Sequence, residues 1–79
     1  MKKKFKKGDI VFYYNRMSVD YPNGDYGIVT SIEYDGFGVY AKWELDNWGE
    51  YFSRIKYITK VIDRKKVDEI KDKLLVDML

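Results

Sequence analysis

Apolar and polar positions alternate in short bursts along most of this chain, then change period near its end. Residues 9–14 (Asp-Ile-Val-Phe-Tyr-Tyr) are β-branched and aromatic, the side chains that suit a pleated, half-buried surface. A second run follows over 28–34. A third, 38–44, alternates so that Val39, Ala41 and Trp43 share one face, and Tyr40, Lys42 and Glu44 the other. Residues 50–53 and 57–61 supply two more short strands, joined by a single 3₁₀ turn over 54–56. The pattern predicts five short strands wrapped into one small barrel.

Turn chemistry punctuates these runs. Asn15 to Tyr26 lacks periodicity and holds Pro22-Asn23-Gly24-Asp25, where Pro22 presets its own φ and Asn23-Gly24 tolerates positive φ. A polar loop of that length is long for so small a domain, and such loops often carry function. Asp35-Gly36, between Tyr34 and Phe37, is a hairpin signal, and Asp46-Asn47-Trp48-Gly49 turns the chain again.

After Asp63 the period becomes helical. Val67, Ile70, Leu74, Leu75 and Met78 form the apolar stripe of an amphipathic helix, with Asp63 as its N-cap and Glu69 and Lys73 as an i, i+4 pair. An isolated helix of this length is marginal in water, so the stripe must pack on something. The open end of the barrel is the expected place, with a partner or a second copy as the alternative. The chain thus divides into a basic N-terminal arm (1–7), a barrel (8–62) and a C-terminal helix (63–79).

Several short motifs carry a family resemblance. Gly8-Asp9-x-Val11, Gly27-x-Val29-x-x-Ile32, Val39-x-x-Lys42-Trp43 and Tyr51 resemble the SH3-like barrels, and among them the KOW, Tudor and MIB/HERC2 types. The likeness spans about residues 5–61. It implies a mainly β fold, a small five-stranded SH3-like barrel with a C-terminal amphipathic α-helix, and it carries no ligand-binding residue set onto this chain. Glu44 stands where an Asp is common after the Trp in that pattern.

Composition narrows the chemistry. The 79 residues include no Cys and no His, so disulfides, thiolate metal sites and the commonest general base are all excluded. Ser18, Ser31 and Ser53 have no evident base nearby in sequence. Asp20 and Asp25 share a loop, where a turn role is far commoner than acid–base work. A calcium loop starting at Asp20 wants a Glu where Ser31 stands. No catalytic residue, metal or cofactor is therefore expected, and the chain reads as no enzyme. The apolar stretch of a secretion signal is broken by Lys6, Lys7, Gly8 and Asp9, and no window suits a membrane span, so a cytoplasmic protein is expected.

Charge is uneven beneath a net +2. Lys2, Lys3, Lys4, Lys6 and Lys7 make a basic arm, whereas residues 8–63 carry more acids than bases, which weighs against a phosphate-gripping barrel. Eight Tyr, four Phe and two Trp exceed what one small core can absorb beside Val11, Val29, Ile32, Val39, Ala41, Ile55 and Ile58. Trp43 and Phe52 are expected inside, with Phe5 plugging an end. Tyr14, Tyr21, Tyr26 and Trp48 flank the loops and are the expected partner-binding rings, since Tyr and Trp anchor interfaces. The favoured reading is a non-catalytic adaptor or inhibitor that binds a protein partner through an aromatic loop face. The alternative is a KOW-like nucleic-acid binder using the basic arm and barrel rings. Either a monomer or a helix-mediated homodimer is compatible with the pattern.

Overall fold

The computed structural model describes residues 4–33 and 36–78, with side chains as far as Leu74. Its elements are β1 (Ile10–Tyr13), β2 (Asp25–Ile32), β3 (Gly38–Trp43), β4 (Gly49–Arg54), β5 (Ile58–Lys60) and α1 (Arg64–Met78), with 3₁₀ turns at Glu44–Asp46 and Ile55–Tyr57. The protein is mainly β. One bound moves usefully: Asp25 and Tyr26, expected in the loop, open β2 because they pair with Tyr13 and Phe12. Tyr34 and Asp35 lie outside the described residues. Gly36 of that hairpin sits at φ +72° and its N–H reaches the Glu33 carbonyl at 3.0 Å.

The sheet order is β4-β3-β2-β1-β5, every neighbouring pair antiparallel. Among the described residues no pairing joins β4 to β5, so the sheet has two edges where the pattern predicts a closed barrel. It is nevertheless strongly curled, for a simple metrical reason. Five flat strands would set their outer members about 19 Å apart at ~4.8 Å per interval. Only the three residues Ile55–Tyr57 connect β4 to β5, and a 3₁₀ turn rises roughly 2 Å per residue. The edges must therefore bend towards each other. A register shift between Val29 and Ser31 puts an extra residue into β2, and such bulges increase local twist.

Curling creates two faces with separate apolar clusters. Inside lie Val11, Val29, Val39, Ala41, Trp43 and Ile58, with Phe5 and Tyr13 packed against them. The predicted Val39–Ala41–Trp43 face is this inner one. Three expected core members fall short: Ile32 ends β2 beyond the bulge and is exposed, Ile55 is half-buried in the 3₁₀ turn, and Phe52 is 41% exposed on edge strand β4. Phe52 instead lays its ring over Gly38, where an added Cβ would sit 2.4 Å from that ring.

The outer face is covered by α1. Ile70 and Leu74 cluster with Ile10 and Trp48, flanked by Tyr26, Ile28, Val61 and Val67. This corrects the expectation that the helix closes the barrel's end. Alternation explains it: Ile10 and Ile28 point opposite to Val11 and Val29, and their apolar surface needs its own cover. Asp63 caps the helix, accepting the Lys65 N–H at 3.0 Å, and Lys73 pairs with Glu69 at 3.7 Å and with Glu44 at 2.9 Å. The predicted stripe residues Leu75 and Met78 fall outside the described side chains. Among the described residues no helix is long and apolar enough to cross a membrane.

Candidate functional site

The side of the sheet that α1 leaves uncovered holds a groove of about 360 Å³. Tyr13 and Trp43 line it from β1 and β3, Tyr51, Phe52 and Ser53 from β4, and Tyr21, Asp25 and Asp46 from the loops and the start of β2. Each ring arrives for a local reason. Tyr13 shares the inward parity of Val11, and Trp43 that of Ala41. Tyr51 pairs across the ladder with Ala41, whose small side chain leaves space beside it. The Trp43 indole N–H donates to the Tyr51 carbonyl at 3.1 Å, tying the groove floor to the edge strand.

The rings meet edge to face. Tyr13 stands at 84° to Tyr21 with centroids 6.4 Å apart, at 70° to Trp43 at 5.9 Å, and at 63° to Tyr57 at 6.0 Å. These are favoured aromatic geometries, and they hold Tyr13 as a hub.

Tyr21 enters from the long loop, which is stitched rather than loose. The Met17 N–H reaches Asn15 Oδ1 at 2.9 Å, the Tyr21 N–H reaches Ser18 Oγ at 3.1 Å, and the Gly24 N–H reaches the Tyr21 carbonyl at 3.0 Å. Gly24 sits at φ +80° with its Cα against the Phe12 ring and the Tyr13 carbonyl, where a Cβ would come within 2.4 Å of both. Glycine is required there both for the turn and for the close approach.

Two carboxylates define the electrostatics. The Tyr21 hydroxyl donates to Asp46 Oδ1 at 2.5 Å. That hydrogen bond, aided by desolvation and by the negative charges of Asp46, Asp20 and Asp25, pushes the Tyr21 pKa up from 10.0 to about 12. Asp25 is buried and accepts the Tyr26 N–H at 2.8 Å and the Leu45 N–H at 3.0 Å. Burial raises its pKa, the two backbone donors oppose that rise in part, and nearby Glu44 and Asp46 add to it. Asp25 thus anchors the Glu44–Asp46 turn, whereas Asp20 of the same loop is exposed.

The predicted partner-binding rings scatter. Tyr21 lies in the groove. Tyr14 is exposed beyond it, its N–H held by the Tyr57 carbonyl at 2.9 Å. Tyr26 turns to the helix side, 4.8 Å from the Phe12 ring and beneath Lys66 Nζ at 4.5 Å. Trp48, expected on an open loop face, is only 9% exposed and packs under α1. Its φ of +61°, following Asn47 at +56°, turns the ring to the helix side after Asp46 has faced the groove. A pair of left-handed non-glycine residues is unusual and persists only where packing over-determines it. Of the basic arm, Lys4, Lys6 and Lys7 are exposed, and Lys2 and Lys3 lie outside the described residues. Among the serines, Ser18 braces the loop, Ser31 is exposed, and Ser53 donates to the Arg54 carbonyl at 3.3 Å.

Sequence reasoning passed over Tyr13, Tyr51 and Asp46. The inward parity of Tyr13 was a usable signal. The Tyr21–Asp46 contact joins two distant loops, which no local pattern reports. No family model, no curated protein and no solved structure matches this chain.

Proposed function

We propose that this chain is a non-catalytic binding module, an adaptor or inhibitor, that engages a protein partner through the aromatic groove. One observation carries the reading: four rings, those of Tyr13, Tyr21, Trp43 and Tyr51, line an open concavity on the face that the helix leaves uncovered. Rings left at a groove rather than absorbed into a core are what interface anchors require. The site differs from the loop face expected from sequence, keeping Tyr21 and substituting Tyr13, Trp43 and Tyr51 for Tyr14, Tyr26 and Trp48. The strand order, the curl and the short 3₁₀ link between the edge strands support an SH3-like barrel as the finer description of the fold. Grooves between aromatic side chains are a recurring way to hold extended peptides.

Asp25 and Asp46 in the lining disfavour a phosphate backbone, so the protein-partner reading stands ahead of the KOW-like one. The test compares three baits: the wild-type chain, Tyr51→Ala in the groove, and Lys71→Ala on the helix. A partner retained by wild type and Lys71→Ala but lost by Tyr51→Ala supports the reading. Equal retention by all three sinks it. Capture abolished by nuclease treatment supports the nucleic-acid alternative instead.

A further inference from the structure

We infer that the groove takes a cationic side chain, the ammonium of a Lys or the guanidinium of an Arg, presented by a segment of the partner protein. The inference rests on the reading of this groove as the partner site and adds the chemistry of what enters it. Four rings (Tyr13, Tyr21, Trp43 and Tyr51) and two carboxylates (Asp25 and Asp46) line the groove, and among the described residues no Lys or Arg does. Ring faces attract cations through their quadrupole, and carboxylates do so through charge. Rings and carboxylates lining one groove act on the same cation together.

Three rings outside the groove carry a cation of the chain's own. The Arg54 guanidinium lies 4.4 Å from the Phe37 ring centre, Lys56 Nζ 5.0 Å from that of Tyr57, and Lys66 Nζ 4.5 Å from that of Tyr26. Among the described residues no such contact is made to a ring lining the groove. The groove rings thus stand beside two acids with no cation of the described residues over them.

Acceptor capacity points the same way. Asp25 gives one oxygen to each of two backbone N–H groups, and Asp46 Oδ1 accepts the Tyr21 hydroxyl. Among the described residues Asp46 Oδ2 has no donor. A partner's N–H donor can complete it, while the aliphatic stem of Lys or Arg lies along the ring faces. A neutral proline-rich segment would cover Asp46 without pairing it, which is costly for a carboxylate. A phosphate would meet two negative charges.

The experiment follows the Trp43 indole N–H resonance of the full ¹⁵N-labelled chain, a reporter seated in the groove floor. The probes are capped Gly-Lys-Gly and Gly-Arg-Gly, with capped Gly-Gln-Gly, a capped proline-rich peptide and a short single-stranded oligonucleotide for comparison. Saturable shifts of Trp43 and Tyr51 are expected with the Lys or Arg probe. Binding should be about tenfold weaker or more with Gln, a difference of about 1.4 kcal/mol. Asp46→Asn should weaken the cationic probes by a similar factor. Tyr51→Ala, an exposed position that leaves the fold in place, should abolish the response. Equal shifts with Gln, or a response only to the proline-rich peptide, would overturn the cation inference and leave the groove as a partner site. Shifts from the oligonucleotide alone would overturn both. Cationic probes that move exposed acidic loops but not Trp43, or that move nothing, would also overturn the inference.

Discussion

The two faces of the sheet use aromatic residues in opposite ways. On the outer face Trp48 and Tyr26 are roofed by α1, packed with Ile10, Ile70 and Leu74, and Tyr26 is covered by Lys66. On the inner face Trp43 is buried at its base, yet Tyr51 beside it is 56% exposed and among the described residues no element closes over the groove. Both faces begin from the same alternating strands. The difference is that the outer face has a helix of its own chain to complete it, and the inner one does not. The outer face is packed throughout, and the inner face combines a core with an open groove.

The two faces meet in five residues. Glu44 and Trp48 are held from the helix side, by Lys73 and by Ile70 and Leu74, whereas Leu45 and Asp46 are held from the groove side by Asp25 and Tyr21. The β3–β4 link is thus clamped between helix and groove. Damage to either face should be felt there on the other.

Substitutions can test this division in order of effect. Trp43→Ala empties both the inner core and the groove floor and should be the most damaging. Removing so large a buried ring costs about 3–5 kcal/mol, enough to unfold much of a chain this small, and urea unfolding would read it. Ile70→Ala should cost about 2–5 kcal/mol through a cavity under the helix. Where the variant remains folded, the Trp43 indole resonance should keep its place unless the β3–β4 link transmits the loss. A shifted resonance would show that the faces are coupled, and a fixed one that they are separable.

Tyr51→Ala should do the reverse. Exposed substitutions usually fall within about 0.5 kcal/mol of wild type, so unfolding should be nearly unchanged while groove binding is lost. A large stability loss would mean that the groove face is a structural surface after all.

Next comes titration. The raised Tyr21 pKa means the folded state favours the neutral phenol. Its contribution is fully present below the ordinary value of 10.0 and is lost as pH rises through about 12. Phenolate absorbance of wild type minus Tyr21→Phe should show that late titration, and Asp46→Asn should return it towards 10.0. A Tyr21 that titrates near 10.0 in both would remove the Asp46 tether. The smallest effect is expected for Lys73→Ala, whose ion pairs with Glu44 and Glu69 are solvent-exposed and screened by salt. No change in the unfolding midpoint should be seen, and a clear loss would mean that the Glu44 contact helps hold the β3–β4 link.

Much was determined by sequence alone because it is local. Strand alternation, the turn residues Gly24 and Gly36, the 3₁₀ turn before β5 and the Asp63-capped helix all arise from neighbours within a few positions, and each forms close to where the pattern puts it. Tertiary structure decided what depends on contacts distant in the chain. The alternation of β1 and β2 created two apolar faces, but only packing chose the outer one for the helix, so that Trp48 left the surface. Asp46 joined the groove because the loop carrying Tyr21 folds back over it, 25 residues away along the chain. A ring's place on a strand face is encoded by its parity. Whether that face meets a helix or the solvent is settled only when the whole chain has folded.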